Sequence, residues 1–126
     1  MYNGSCLICP ELLAAAGIVP FEKVEIYSLT STARIATYVF PGAAKGEFTL
    51  NGGAALHFQV GDQVAVVAYR QEEIFSGSNC VIVRPEDNSI MQLLRYESPG
   101  NVTDAKQRQA RQTDNGHFAN EHALIL

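Results

Sequence analysis

The sequence predicts a mainly β domain, a small barrel of short strands with short helices beside it. Three observations carry this: stretches in which apolar and polar residues alternate, turn signals between them at close spacing, and one short run with helix punctuation at both ends. Many short strands with frequent turns favour closure, because a closed sheet leaves few unpaired edges.

The elements follow in order. Residues 10–16, PELLAAA, read as a helix: Pro10 suits the first helical position, Glu11 the positive end of the dipole and Gly17 the stop. Strands are expected at 23–29 (KVEIYSL), 34–40 (RIATYVF), 47–50 (EFTL), 63–69 (QVAVVAY), 80–84 (CVIVR) and 90–96 (IMQLLRY). Pro41-Gly42, Asn51-Gly52-Gly53, Gly61-Asp62, Ser76-Gly77-Ser78 and Asp87-Asn88 supply the turns. The segment 51–57, NGGAALH, suits one helical turn after an Asn51 cap. From Glu97 the composition turns polar. Residues 1–96 are therefore read as the domain and 97–126 as a polar, mobile tail whose apolar ending, ALIL, could dock on a neighbour.

The chain has 126 residues, enough for one domain. Hydrophobic residues make up 47% and charged residues 17%, sufficient for a packed core. With 9 basic against 13 acidic residues the net charge is -4, which argues against a nucleic-acid binder that must neutralise phosphates. No apolar run approaches the roughly 20 residues of a membrane helix, and no leader pattern points to secretion, so the cytoplasm is the expected compartment. Cys6 and Cys9 form a CxxC, but Cys80 is the only other cysteine. Without a second pair they read as structural thiols. His117 and His122 lie five apart, off a common helix face, which argues against a metal pair.

The chemistry concentrates at YNGSC, residues 2–6. The Ser5 hydroxyl can attack the carbonyl of Gly4, which has no side chain to shield it. The amide becomes an ester. Loss of the serine Cα proton then expels the glycine carboxylate, and the dehydroalanine left behind hydrolyses to a ketone, a pyruvoyl group at position 5. Such a ketone condenses with an amine and accepts the electron pair left when carbon dioxide departs, the service that pyridoxal phosphate gives elsewhere. Taken alone, Asn-Gly-Ser is also an ordinary turn sequence.

Context separates the two readings. YNGSC followed by an AAG-terminated helix, KVEIYSLTSTARIATY, FTLNGGAALHFQVGDQVAVVAY and RPEDNSIMQL occur in an order that resembles the bacterial aspartate 1-decarboxylase family, from Tyr2 to about Tyr96. The resemblance implies a double-psi β-barrel, a homotetramer with active sites between neighbouring subunits, a covalently bound pyruvoyl group derived from Ser5, and conversion of L-aspartate to β-alanine for pantothenate. It implies cleavage between Gly4 and Ser5, a substrate-carboxylate role for Arg34, an oxyanion-donating hydroxyl on Thr37 and a proton donor in Tyr38. It further implies that Asn51 bonds near the pyruvoyl and that Gly52, Gly53 and Ala54 line the pocket. Tyr27 stands where the family commonly has tryptophan. A strand and a lysine precede the motif in the family; here Met1 directly precedes Tyr2, and whether Met1 is the natural start stays open. Read without the resemblance, Arg34, Thr37 and Tyr38 are ordinary strand residues, Asn51-Gly52 a turn or cap, and His57 a packing or surface histidine. A decarboxylase for another amino acid, and a nonprocessing barrel homologue that binds or assembles, are the alternatives.

Overall fold

A short buried strand is the first element of the described residues. The computed structural model describes residues 4–42, 44–97 and the backbone of 118–125. In strand β1 (Ser5–Ile8), Ser5, Cys6 and Ile8 are buried. It pairs parallel with β3 (Arg34–Pro41), Cys6 opposite Val39, and antiparallel with β4 (Phe48–Asn51), Ser5 opposite Asn51. This strand was not expected, because the turn-like residues before it mask a run of only four.

Helix α1 (Pro10–Ala16) has the bounds read from the sequence. Gly17 stops it with φ of 75°, the left-handed region glycine enters without a Cβ clash. The Gly17 N–H donates to the Ala14 carbonyl and the Ile18 N–H to that of Leu13, which satisfies the last-turn acceptors. Leu12, Leu13 and Ala16 form the buried face, laid against β6 (Ser78–Val83).

Strands β2 (Lys23–Ser28) and β3 make an antiparallel hairpin with Tyr27 opposite Arg34 and Lys23 opposite Tyr38. Its turn is held by the Ser28 hydroxyl oxygen, which accepts from the N–H groups of Thr30 and Ser31. Next come β5 (Val64–Glu72), β6 and β7 (Ile90–Tyr96), with one irregularity between Ile82 and Val83 in the β6–β7 pairing. The segment 51–57 is a 3-10 helix over Gly52–His57, following β4 directly.

Within the region read as a tail, one stretch is a strand. Phe118–Ile125 forms β8, antiparallel to β5 and parallel to β6. Backbone pairing with two strands supplies the order that its polar composition does not advertise. The full order is β4-β1-β3-β2-β5-β8-β6-β7, eight strands with mixed pairing, mainly β as expected and consistent with the double-psi barrel. His117 lies outside the described residues.

The core gathers Cys6, Ile8, Leu12, Leu13, Val24, Ile26, Val39, Val66 and Val81 from both halves of the sheet and from α1. Ile26 is 0% exposed. Replacing it by alanine removes three buried carbons from the core, and is expected to cost about 2–5 kcal/mol of unfolding free energy. A shift in the urea midpoint at unchanged slope measures it, and a loss below about 1 kcal/mol would contradict this packing.

Candidate active site

Gly4 and Ser5 are buried at the mouth of β1, with Ser5 3% exposed. A buried hydroxyl needs a partner. Ser5 finds one in Asn51, whose Nδ2 donates to Ser5 Oγ at 3.4 Å. The β1–β4 register explains the contact, since Ser5 and Asn51 stand directly opposite. The length is at the weak end for a hydrogen bond, so the hydroxyl is located without being locked. Asn51 was expected to cap the following helix; it makes no side-chain cap bond there. Its amide is committed across the sheet instead.

Gly52 has φ of 58°, which lets the chain turn from β4 straight into the 3-10 helix. Gly52, Gly53 and Ala54 form its first residues, and the helix packs on both β1 and β3. His57 ends it on the surface, as the surface reading expected.

Strand β3 places the other residues. Continuing the parallel β1–β3 register back from the Cys6–Val39 pair sets Ser5 beside Tyr38 and Gly4 beside Thr37. The Cys6 thiol points at the Tyr38 carbonyl, 3.8 Å away, which fixes the same alignment. Thr37 shares the face of buried Val39 and is half-buried. Tyr38 takes the opposite face, is 42% exposed, and meets Phe40 edge-to-face, as Phe40 meets Phe21. Arg34 begins the strand on the Tyr38 face, its guanidinium 4.6 Å above the centre of the Tyr27 ring. Tyr27 in turn donates its hydroxyl to the Glu25 carboxylate and lies 2.7 Å from the Tyr69 hydroxyl. Glu25, and after it Tyr69, holds the Tyr27 phenol well above its usual range, because the neutral hydroxyl is the one that can donate to a carboxylate. Neither Glu25 nor Tyr69 stood out in the sequence. Tyr69 is 42 residues from Tyr27, and only the sheet brings them together.

Gly4, Ser5, Thr37, Tyr38 and Asn51 thus share one region, with Gly52–Ala54 adjoining it, while Arg34 stands at the far end of β3. Two clefts of about 490 and 370 Å³ are lined by other residues: the larger by Phe48, Leu50, Phe58 and Val64 among them, the smaller by Cys9, Leu12 and Ile90.

The cysteines of the CxxC belong to the core. Cys6 and Cys9 are 0% and 5% exposed and form no disulfide. Burial pushes the Cys6 thiol up to about 12 from 9.0. The unfolded chain gives up this proton at the lower value, so the stabilising contribution is present below pH 9.0 and is lost as pH rises toward about 12. Across that window Cys6→Ala is expected to lose less stability than the parent, read as denaturation midpoints; parallel curves would contradict it.

A hydroxyl placed beside its own preceding carbonyl, with an amide donor next to it on a β framework, is an arrangement that a self-processing lyase can use. The comparisons agree with this class. The family model for aspartate decarboxylase matches residues 1–91. The aspartate 1-decarboxylase of Exiguobacterium sibiricum is 45% identical over 100 residues, covering 76% of this chain and 79% of that protein. That of Clostridium beijerinckii is 41% identical over 101 residues, 77% and 82% of the two chains. That of Crocosphaera subtropica is 48% identical over 99 residues, 74% and 66%. This chain belongs to the aspartate decarboxylase family.

Proposed function

We propose that this protein decarboxylates L-aspartate to β-alanine, the pantothenate precursor, using a pyruvoyl group that it makes from Ser5 by cleaving its own Gly4–Ser5 bond. The observation that carries this is the buried Gly4–Ser5 junction with the Asn51 amide 3.4 Å from Ser5 Oγ. The residues fit the group. An amide N–H that donates to a hydroxyl oxygen there can donate equally to a keto oxygen.

In maturation, Ser5 Oγ adds to the Gly4 carbonyl carbon. The amide C–N bond breaks, its nitrogen takes a proton, and an ester remains. Thr37, beside Gly4 in the β1–β3 register, donates to the developing oxyanion. Loss of the Ser5 Cα proton breaks the Cβ–O bond and releases Gly4 as a carboxylate. Water then displaces the nitrogen of the resulting enamine as ammonia.

The keto group supplies the electron sink for decarboxylation. Arg34 holds a substrate carboxylate through its planar fork. Tyr38 returns a proton to the carbon that loses carbon dioxide. Arg34 and Tyr38 stand four residues apart on one strand face, roughly 13 Å along the chain. That spacing supports assembly as a homotetramer in which Arg34 of a neighbouring copy serves each Ser5. The outward aromatic run of Phe21, Phe40 and Tyr38 offers an apolar contact surface for it. The two buried thiols, unpaired with each other, suit a reducing cytoplasm.

Intact mass tests the proposal. Borohydride added with aspartate should trap substrate as a secondary amine on a chain that starts at position 5. A full-length, unmodified chain after long incubation overturns it. Tyr38→Phe is expected to mature normally yet turn over about 100-fold more slowly, the usual contribution of a positioned acid. Full activity in that variant would remove Tyr38 from the proton-return role.

A further inference from the structure

The outer face of the β2–β3 hairpin sets a competitor beside Arg34. Tyr27 lies directly across from Arg34, and Glu25 directly across from Ala36, so Glu25 is the diagonal neighbour of Arg34 on the same face. Diagonal neighbours are within reach of long side chains. A glutamate and an arginine so placed would ordinarily pair. Here they do not: among the described residues the ion pair is Arg70–Glu72, and Arg34 forms none. The Glu25 carboxylate accepts the Tyr27 hydroxyl instead. Because the single Tyr27 proton goes to Glu25, the 2.7 Å contact with Tyr69 has the Tyr69 hydroxyl donating to Tyr27. The ring of the same tyrosine carries the guanidinium on its face, 4.6 Å from the centroid. A ring contact leaves the five N–H donors of the fork in its own plane uncommitted.

We propose that Tyr27 is a positioning residue for substrate binding: its ring supports Arg34, and its hydroxyl holds Glu25 away from the guanidinium, so that the fork stays open for the substrate carboxylate. Tyr69 orients that hydroxyl. The inference rests on the reading of Arg34 as the carboxylate-holding residue.

Steady-state kinetics with aspartate on the matured, full-length-expressed protein tests both, separately. Tyr27→Phe keeps the ring and frees Glu25 to pair with Arg34. It is expected to raise KM about fivefold at unchanged kcat, the scale of an exposed ion pair that substrate must displace. Tyr27→Phe combined with Glu25→Gln removes the competitor and is expected to return KM to within about twofold of the parent. A packing role for Tyr27 would not be rescued by a change at Glu25. A KM unchanged in Tyr27→Phe, or raised and left unrescued, overturns the inference. Arg34→Ala reports on the underlying reading: if its KM is unchanged, that reading fails, whatever Tyr27→Phe does. Should Tyr27→Phe not mature, Glu25→Gln alone decides. With Glu25 already held by Tyr27, its KM stays within about twofold of the parent, and a fivefold fall would mean that Glu25 competes in the parent, against the proposal.

Discussion

Ser5→Ala should leave an uncut chain that releases no carbon dioxide from aspartate. The substitution removes one oxygen from a site that is 3% exposed, and the hydroxyl it removes makes only the weak contact with Asn51, so the fold is expected to survive it. What disappears is the nucleophile, and with it both the ester and the ketone. No other group at the junction replaces them: Asn51 offers an amide donor, and the Cys6 thiol is one residue on, buried and held protonated. Decarboxylation without an electron sink forfeits a large part of the roughly 8–23 kcal/mol that enzymes typically remove from a barrier, so activity should fall below detection rather than by a modest factor. Intact mass and product formation measured on one sample check this. The parent should show a chain beginning at residue 5, and the variant a single full-length mass. Turnover by an uncut Ser5→Ala chain would refute the pyruvoyl mechanism outright.

Arg34→Ala should separate binding from maturation. Arg34 is assigned to hold substrate, which takes no part in the Gly4–Ser5 rearrangement, so cleavage should proceed normally. Substrate loses a charge-assisted, two-pronged contact worth about 1.5–3 kcal/mol, and kcat/KM should fall roughly 10- to 100-fold, mostly through KM. Arg34→Lys keeps the charge and loses the fork, and should recover part of the loss. Full activity in Arg34→Ala, or failure to cleave, would contradict the role assigned to this residue.

How much of this was legible beforehand depends on where each signal resides. Helix α1 was read to the residue because Pro10 and Gly17 act locally: one fixes a backbone angle at the start, the other adopts φ of 75° at the end. The alternating strands β2 and β3 were read within a residue, since burial of one face writes a period of two into the chain. Strand β1 was missed because four residues carry too little periodicity, and its existence depends on β3 and β4 beyond α1. Strand β8 was missed for a related reason, its order coming from pairing with β5 and β6 rather than from apolar alternation. At the site, Ser5, Arg34, Thr37, Tyr38 and Asn51 were named from ordered motifs. The use of Asn51 was not, because a cap and a cross-strand donor share the same residue type.

The sequence by itself determined the chemical potential of this protein: a Gly-Ser bond that can rearrange, the residue types that could serve it, and a chain that alternates as strands do. Only the tertiary structure decided which of those residues meet. It set Asn51 across from Ser5, put Glu25 and Tyr69 around the Tyr27 hydroxyl, and stationed Arg34 at the far end of its strand. The physical reason is that strand pairing joins residues more than forty positions apart through backbone hydrogen bonds that every amino acid can make. Their register is therefore chosen by burial across the whole sheet and leaves little trace in any local stretch.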